Sequence, residues 1–192
     1  MKKIVLSLIL LACTCTLIAQ ETNEEKINEK GNTFKNSLKV HPLNIFVNEL
    51  VLEYERVIRK KSSLIFTLGL GYEDGDFIPS GTFEEYLIFS QVDYRYYFSK
   101  SKIAPKGFFV SGGAFGFYEH IRYKGLFRTV QPNINQDFFT AGISGDIGYQ
   151  WVFKKGITIG ISGGADLQIP LNYDNSSTKV RPDLNVAIGY SW

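Results

Sequence analysis

Cysteine is almost missing from this chain, and the two it has, Cys13 and Cys15, lie close to the N-terminus. Residues 1–19 there begin with two lysines after the initiator, continue as a short apolar run and end at Ala19, ahead of Gln20. This pattern is typical of a secretory signal peptide, and the run is shorter than the roughly 20 residues of a membrane-spanning helix. We therefore expect a mature chain with no disulfide and no thiolate nucleophile.

A second processing route stays open at the same place. The tetrapeptide Leu10-Leu11-Ala12-Cys13 matches a lipoprotein cleavage box, and cleavage there would leave Cys13 lipidated and tethered to a membrane. Residues 20–33, which follow, are polar and charged with almost nothing to bury. We expect them to form a flexible periplasmic leader, with a short surface helix as the alternative.

Histidine is also scarce, since His41 and His120 are the only two in 192 residues. Nucleophilic catalysis and metal binding both draw on histidine, so neither has much to use here. A lipid A deacylase would need a serine two residues after a histidine, and neither histidine has one. We expect no enzymatic activity, no cofactor and no metal.

Net charge is lacking as well once the signal peptide is removed. The full chain has 21 Lys+Arg against 19 Asp+Glu, and loss of Lys2 and Lys3 leaves 19 of each. A neutral chain argues against nucleic-acid binding driven by bulk charge. The remaining length suits one domain.

No long segment from Phe34 onward has the hydrophobic period of an α-helix, and a period of two recurs instead. It predicts strands at 33–43, 49–58, 63–72, 83–98, 107–118, 138–153, 157–168 and 184–192. An even number of strands lets a sheet close with both termini on one side. The fold class that we predict for 34–192 is all-β, an eight-stranded antiparallel up-and-down transmembrane β-barrel. The strand at 107–118 has phenylalanine and glycine on both faces, so its inward face is not assigned.

The last strand alternates most clearly, and its bulky face is made of Leu184, Val186, Ile188, Tyr190 and Trp192. Its nine residues are close to the roughly 9 to 11 that a tilted strand needs to cross a bilayer. A terminal aromatic after such a strand resembles the signal that the barrel-assembly machinery of bacterial outer membranes recognises.

Three further observations favour a membrane barrel over a soluble one. The faces opposite the apolar ones are rich in Gly, Ser and Thr, as expected where side chains converge on a narrow barrel axis. Aromatics gather at strand ends, as in the girdles of membrane barrels. Short basic links alternate with longer ones at 73–82, 119–136 and 170–180, which predicts short periplasmic turns, external loops and both termini in the periplasm. A soluble periplasmic lipocalin-like carrier of an apolar ligand is the alternative.

Several motifs carry a family resemblance. The chain resembles the small OmpA/OmpX-like barrels and, more closely, a Bacteroidota-type family of outer-membrane barrels of unknown function. The motifs are Glu53-Tyr54-Glu55-Arg56, Tyr94-Arg95-Tyr96-Tyr97-Phe98 and Ala104-Pro105-Lys106-Gly107-Phe108-Phe109-Val110. The resemblance implies a barrel in contact with outer-membrane lipid and lipopolysaccharide, and it implies no catalytic residues.

Two groups of residues are candidates for a site. A polar network in the barrel lumen is predicted from Glu53, Glu55, Asp93, Arg95, Asp146 and Asp166, with Lys39 and His41 close by. We expect it to be a buried network of ion pairs and hydrogen bonds in an interior filled by side chains, rather than an open pore or a ligand site.

The second group is a basic and aromatic loop surface, predicted from Arg122, Tyr123, Lys124, Phe127 and Arg128. Its charge and rings suit the phosphates of lipopolysaccharide or an acidic glycan. We therefore expect a role in surface interaction, adhesion or envelope integrity. An outer-membrane lipid-modifying enzyme is a less favoured alternative, and it would depend on His120.

Overall fold

The computed structural model describes residues 34–77, 81–98, 103–125, 134–172 and 177–192. Its eight antiparallel strands are paired in sequence order, and pairing of β1 with β8 closes the barrel. The strands are β1 (Asn36–Val40), β2 (Glu49–Arg59), β3 (Ser62–Phe77), β4 (Gly81–Tyr97), β5 (Gly107–Gly125), β6 (Ile134–Val152), β7 (Ile157–Pro170) and β8 (Lys179–Ser191). The predicted fold class is confirmed. The predicted signal peptide and leader lie outside the described residues.

The first strand is shorter than predicted. It ends at Val40, and a 3-10 helix, Pro42–Val47, follows where the strand was expected to continue to Leu43. Pro42 has no backbone N–H to give to a strand ladder, so pairing stops before it. Asn48 ends the helix with a φ of 57°, a left-handed conformation that asparagine tolerates. Among the described residues, no helix is long and apolar enough to cross a bilayer.

The middle strands are longer than predicted, and the expected loops at 73–82 and 119–136 are largely strand. Residues 73–77 of β3 pair with 81–85 of β4, and 119–123 of β5 pair with 134–138 of β6. We call residues 73–77, 81–85, 119–125 and 134–138 the projecting sheet. The sequence prediction was wrong here because both faces of this sheet carry polar residues, which removes the alternation that marks a strand.

The apolar face of the barrel is its outside. Large apolar side chains such as Leu184 are exposed, in that case to 66%, whereas Glu55 and Lys39 point inward and are 0% and 1% exposed. A lipocalin-like carrier would need the opposite polarity, so this finding contradicts that alternative. The structure also assigns the face of β5: Phe109 and Phe115 are buried inside, and Phe108 is outside.

Aromatic rings form two belts around the outside. At the rim that carries the termini, the centroids of Phe108 and Tyr149 are 4.6 Å apart and those of Tyr149 and Trp151 4.5 Å. Near the other rim, Tyr72 and Tyr86 are 5.0 Å apart. From Tyr86 to Tyr96, on the terminal rim, β4 climbs about 25 Å, at about 3.3 Å per residue and a tilt of about 40°. This height matches the apolar band of membrane barrels.

Candidate functional site: barrel interior and outer wall

Lys39 is the centre of a buried network at the terminal end of the interior. It comes from β1, and alternation along β2 turns Glu53 and Glu55 towards it. Its Nζ lies 2.6 Å from Oε1 of Glu53 and 2.8 Å from Oε2 of Glu55, and it donates to Oε1 of Gln150 at 2.8 Å. One ammonium group therefore joins strands β1, β2 and β6.

Glu55 is fully buried and receives several further hydrogen bonds. The hydroxyls of Ser63 and Tyr97 each donate to its Oε1 at 2.6 Å. Nε2 of Gln150 donates to Oε2 of Glu55 at 3.0 Å and to the carbonyl oxygen of Pro105 at 2.6 Å. This amount of hydrogen bonding offsets the cost of taking a carboxylate out of water. We call Lys39, Glu53, Glu55, Arg95, Tyr97 and Gln150 the floor network.

Arg95 supplies the second positive charge of the floor network. Its Nη1 lies 3.5 Å from both Glu53 and Glu55, and its guanidinium carbon lies 4.0 Å above the ring centre of Phe109. The ring face attracts the cation and shields it from water. His41 adds a contact of 3.0 Å between its Nε2 and Oε2 of Glu53. Two carboxylates are thus matched by two permanent cations, and the interior at this level is filled.

A cavity of about 400 Å³ lies beyond the floor network. Asp93 lines it and accepts hydrogen bonds from Gln91 at 2.8 Å and Ser144 at 2.9 Å. Asp146 and Asp166 also line it, and neither is ion-paired among the described residues. The structure therefore brings Glu53, Glu55 and Arg95 together in ion pairs. The three aspartates lie on the cavity wall, outside those ion pairs. The interior was expected to be filled by side chains, whereas beyond the floor network it holds this cavity.

Carboxylates also crowd the end of the cavity next to the projecting sheet. Glu49, Glu85 and Glu119 line this end. Burial and the nearby charges of Glu119, Glu73 and Glu49 raise the pKa of Glu85 above its usual value. We call Glu49, Glu73, Glu85 and Glu119 the acidic mouth. The sequence analysis missed it because these residues come from four strands and were assigned to strand ends or loops.

The predicted loop surface lies only partly within the described residues, and it stays a prediction. Arg122 and Tyr123 are adjacent in β5 and so point to opposite faces. Nη1 of Arg122 lies 3.7 Å from Oε2 of Glu84. The backbone of Lys124 pairs with that of Thr82. Phe127 and Arg128 lie outside the described residues.

His120 lies on the same strand as Arg122, and the sequence analysis did not predict the side chains that it contacts. Its Nδ1 is 2.6 Å from Oδ1 of Asp137, and the Tyr118 hydroxyl donates to that oxygen at 2.7 Å. The hydrogen bonds from Tyr118 and His120 lower the pKa of Asp137. Among the described residues, no serine, threonine or cysteine hydrogen-bonds to His120. The described residues also hold no group of three or more His, Cys, Asp or Glu side chains placed for a metal ion.

The last strand closes the barrel. The backbone N–H of Trp192 donates to the carbonyl of Asn36 at 2.9 Å, and the N–H groups of Lys35 and Asn36 both donate to the carbonyl of Trp192. The predicted signal residues are on β8 and the residue after it, with Leu184, Ile188 and Tyr190 exposed on the outside. Recognition of them by an assembly machinery stays a prediction.

No protein-family model matches the chain, and a search of curated proteins finds no match. A solved structure, that of Ail, the attachment invasion locus protein of Yersinia pestis, is similar with a TM-score of 0.48 and 9% sequence identity. The similarity covers 84% of this chain and 100% of that one. No residue role is transferred from it.

Replacing Lys39 by methionine should strongly destabilise the barrel. The change leaves Glu53 and Glu55 with Arg95 as their remaining permanent cation, and breaking a buried ion pair costs about 3 to 5 kcal/mol. The measurement is the urea midpoint of unfolding in lipid. Lys60→Met, in the exposed turn between β2 and β3, is the control and should change stability by less than about 0.5 kcal/mol. Equal midpoints for the two variants would contradict the ion-pair role of Lys39.

Replacing Glu85 by glutamine should stabilise the barrel at neutral pH. Because its pKa is raised in the folded state, ionised Glu85 opposes folding above that pKa, and the opposition fades as pH falls through it. The urea midpoint of Glu85→Gln should therefore exceed that of the parent at pH 7.5, and the two should converge near about pH 4. The control is Glu84→Gln, whose carboxylate faces Arg122 and should show no such gain. A gain for Glu85→Gln that persists unchanged at the low pH would refute this explanation.

Proposed function

We propose that this protein is an integral protein of the bacterial outer membrane that acts by surface contact. The short turns and both termini lie in the periplasm in this proposal, and the projecting sheet extends outside the cell. The observation that supports it best is the polarity of the barrel: apolar side chains face outward between two aromatic belts, while the charges of the floor network are paired inside. Closure of the barrel pairs the backbone groups that lipid could not solvate.

The 3-10 helix Pro42–Val47 supports the same placement. Phe46 is 85% exposed and Ile45 is 58% exposed, and both follow a strand that ends below the projecting sheet. Exposed rings and aliphatic chains at this height suit the outer leaflet and are unfavourable in water. We propose that the helix anchors the edge of the barrel in lipid.

Surface contact is favoured over transport by the floor network. Its side chains are fully or almost fully buried and bonded to one another from four strands. An eight-stranded barrel has little room for water beside such a network. The part of the molecule that reaches the exterior is then the projecting sheet.

Contact with lipopolysaccharide is a second proposed role. Arg122 and His120 are on the outer wall of β5, close to Tyr86 and Tyr118 of the upper aromatic belt. A basic and aromatic strip at the height of lipid headgroups suits the phosphates of lipopolysaccharide. We also propose, from the motifs named in the sequence analysis, that the chain is related to the Bacteroidota-type family of outer-membrane barrels.

Insertion is tested on the mature chain folded into lipid. We expect a compact band on a denaturing gel that shifts only after boiling. To locate the first loop, Phe46 is replaced by tryptophan in a chain with Trp151→Phe and Trp192→Phe, and emission is measured with brominated lipids. The emission of tryptophan at position 46 should be quenched. In a second variant, with the tryptophan at position 74 instead, above the aromatic belt, the emission should not be quenched. A soluble fold, or equal quenching at both positions, would refute this placement.

The lipopolysaccharide contact is tested by replacing Arg122, Lys124 and Arg128 together with serine. Loss of charge-assisted hydrogen bonds to phosphate should weaken lipopolysaccharide binding about tenfold or more. Lys60, Lys61 and Lys106, in turns at the terminal rim, are replaced by serine as a control of equal charge change. Binding is measured on the barrel in nanodiscs, and equal affinities of the two triple variants would rule out the proposed surface.

A further inference from the structure

The cavity beyond the floor network has two walls of different chemistry. On β4 and β5, Phe89, Phe115 and Phe117 line it, and we call them the phenylalanine patch. The ring centroids of Phe89 and Phe115 are 6.1 Å apart, and Phe89 pairs with Phe117 in the strand register. On β6, β7 and β8 the lining includes Asp146, Asp166 and Asp183, which we call the aspartate wall. An apolar surface and an acidic surface therefore border the same space.

The carboxylates of the aspartate wall are directed into the cavity. Gly164 pairs with both Asp146 and Asp183, so these aspartates lie in one row on either side of a residue without a side chain. A Cβ at Gly164 would lie 2.6 Å from Oδ1 of Asp146, which shows that this carboxylate extends over the glycine. Among the described residues, Asp146 has no hydrogen bond and no ion pair. Its oxygens are therefore available to a ligand.

The charge of the lining is strongly negative beyond the floor network. Arg181 is the one permanent cation there among the described residues. Seven carboxylates line the same space: Asp93, the three of the aspartate wall, and Glu49, Glu85 and Glu119 of the acidic mouth. A cleft lined by one sign of charge between walls of low dielectric constant concentrates ions of the opposite sign. The cavity therefore favours a cationic ligand.

The carboxylates are spread along the cavity rather than gathered at one point. Asp93 and Glu85 are eight residues apart on β4, which is about 20 Å along the barrel axis at about 3.3 Å per residue and a tilt of about 40°. A metal ion needs oxygen ligands that converge within about 2.6 Å of it. Carboxylates at several levels instead match positive charges that are spaced along a chain.

The phenylalanine patch indicates what joins those charges. Aliphatic groups gain free energy when they leave water for an apolar surface, and the faces of aromatic rings also attract cations. A volume of about 400 Å³ is within the range of small-molecule sites. A narrow chain of methylene groups carrying several ammonium groups therefore meets both the apolar and the acidic part of the lining.

We propose that the cavity beyond the floor network binds a linear aliphatic polyamine. Its ammonium groups contact the aspartate wall and the acidic mouth, and its methylene groups pack on the phenylalanine patch. The floor network fills the terminal end of the interior, so the ligand enters and leaves by the acidic mouth. This inference goes beyond surface contact, and it holds whichever side of the membrane the acidic mouth faces.

The test is calorimetric titration of spermidine into the full mature barrel in nanodiscs of zwitterionic lipid without lipopolysaccharide. We expect saturable binding in about 150 mM salt, where diffuse attraction between distant charges is screened. Butylamine, with a similar aliphatic chain and a single charge, should bind about tenfold or more weakly. Mg²⁺ at an equal concentration should not displace spermidine. The absence of saturable binding, or equal competition by Mg²⁺, would overturn the proposal.

Two double variants locate the contact. Asp146→Asn with Asp183→Asn should weaken spermidine binding about tenfold, because two of the carboxylates that face the ligand lose their charge. The control, Glu84→Gln with Asp137→Asn, removes the same charge from side chains that contact Arg122 and His120 on the outer wall, and it should leave the affinity unchanged. Equal effects of the two double variants would refute a site inside the barrel.

A nuclear magnetic resonance measurement tests the apolar contact. Magnetisation transfer is expected between the methylene protons of bound spermidine and the ring protons of Phe117, and its absence would overturn packing on the phenylalanine patch. The heat-shifted band on the same samples separates lost ligand binding from failure of membrane insertion.

Discussion

Pairing of β1 with β8 is the constraint on which the other features depend. Once these strands join, one face of each strand is enclosed, and a fully buried charge on that face needs a partner inside. β1 has only five residues, yet it supplies Lys39, which lies within 2.8 Å of carboxylate oxygens of both Glu53 and Glu55. Substitution of Gly189 would obstruct this join, since a Cβ there would contact the carbonyl of Leu38. Closure of the barrel and neutralisation of Glu53 and Glu55 are therefore linked through the same short strand.

The sequence pattern predicted strands correctly where the two faces of a strand meet different surroundings. Leu64 to Leu70 of β3 alternate because one face is apolar and outside while the other faces the lumen. Beyond Tyr72 both faces lie in the projecting sheet, polar residues occur on each, and the period of two is lost. The period of two arises because the two faces of a strand differ in burial. A strand whose two faces have the same environment is therefore not detected by its periodicity.

The site was predictable in composition but not in arrangement. Inward charges at Glu53, Glu55 and Arg95 followed from alternation, whereas the contact of Lys39 with Gln150 joins residues 111 positions apart and requires the closed register. The inward rings of Phe109 and Phe115 could not be assigned from β5 alone. They fit because Gly148 and Gly142, on the neighbouring strand, have no side chains to obstruct them.

The carboxylates are paired at one end of the barrel interior and unpaired at the other. At the floor network, burial makes an isolated charge costly, and Glu53 and Glu55 each have basic partners within 3.5 Å. At the acidic mouth, burial raises the pKa of Glu85, and the nearby charge of Glu119 raises it further. Such repulsion is tolerable where water screens it. The carboxylates of the floor network are therefore balanced by cations, whereas those of the acidic mouth keep a net negative charge at the end of the barrel next to the projecting sheet.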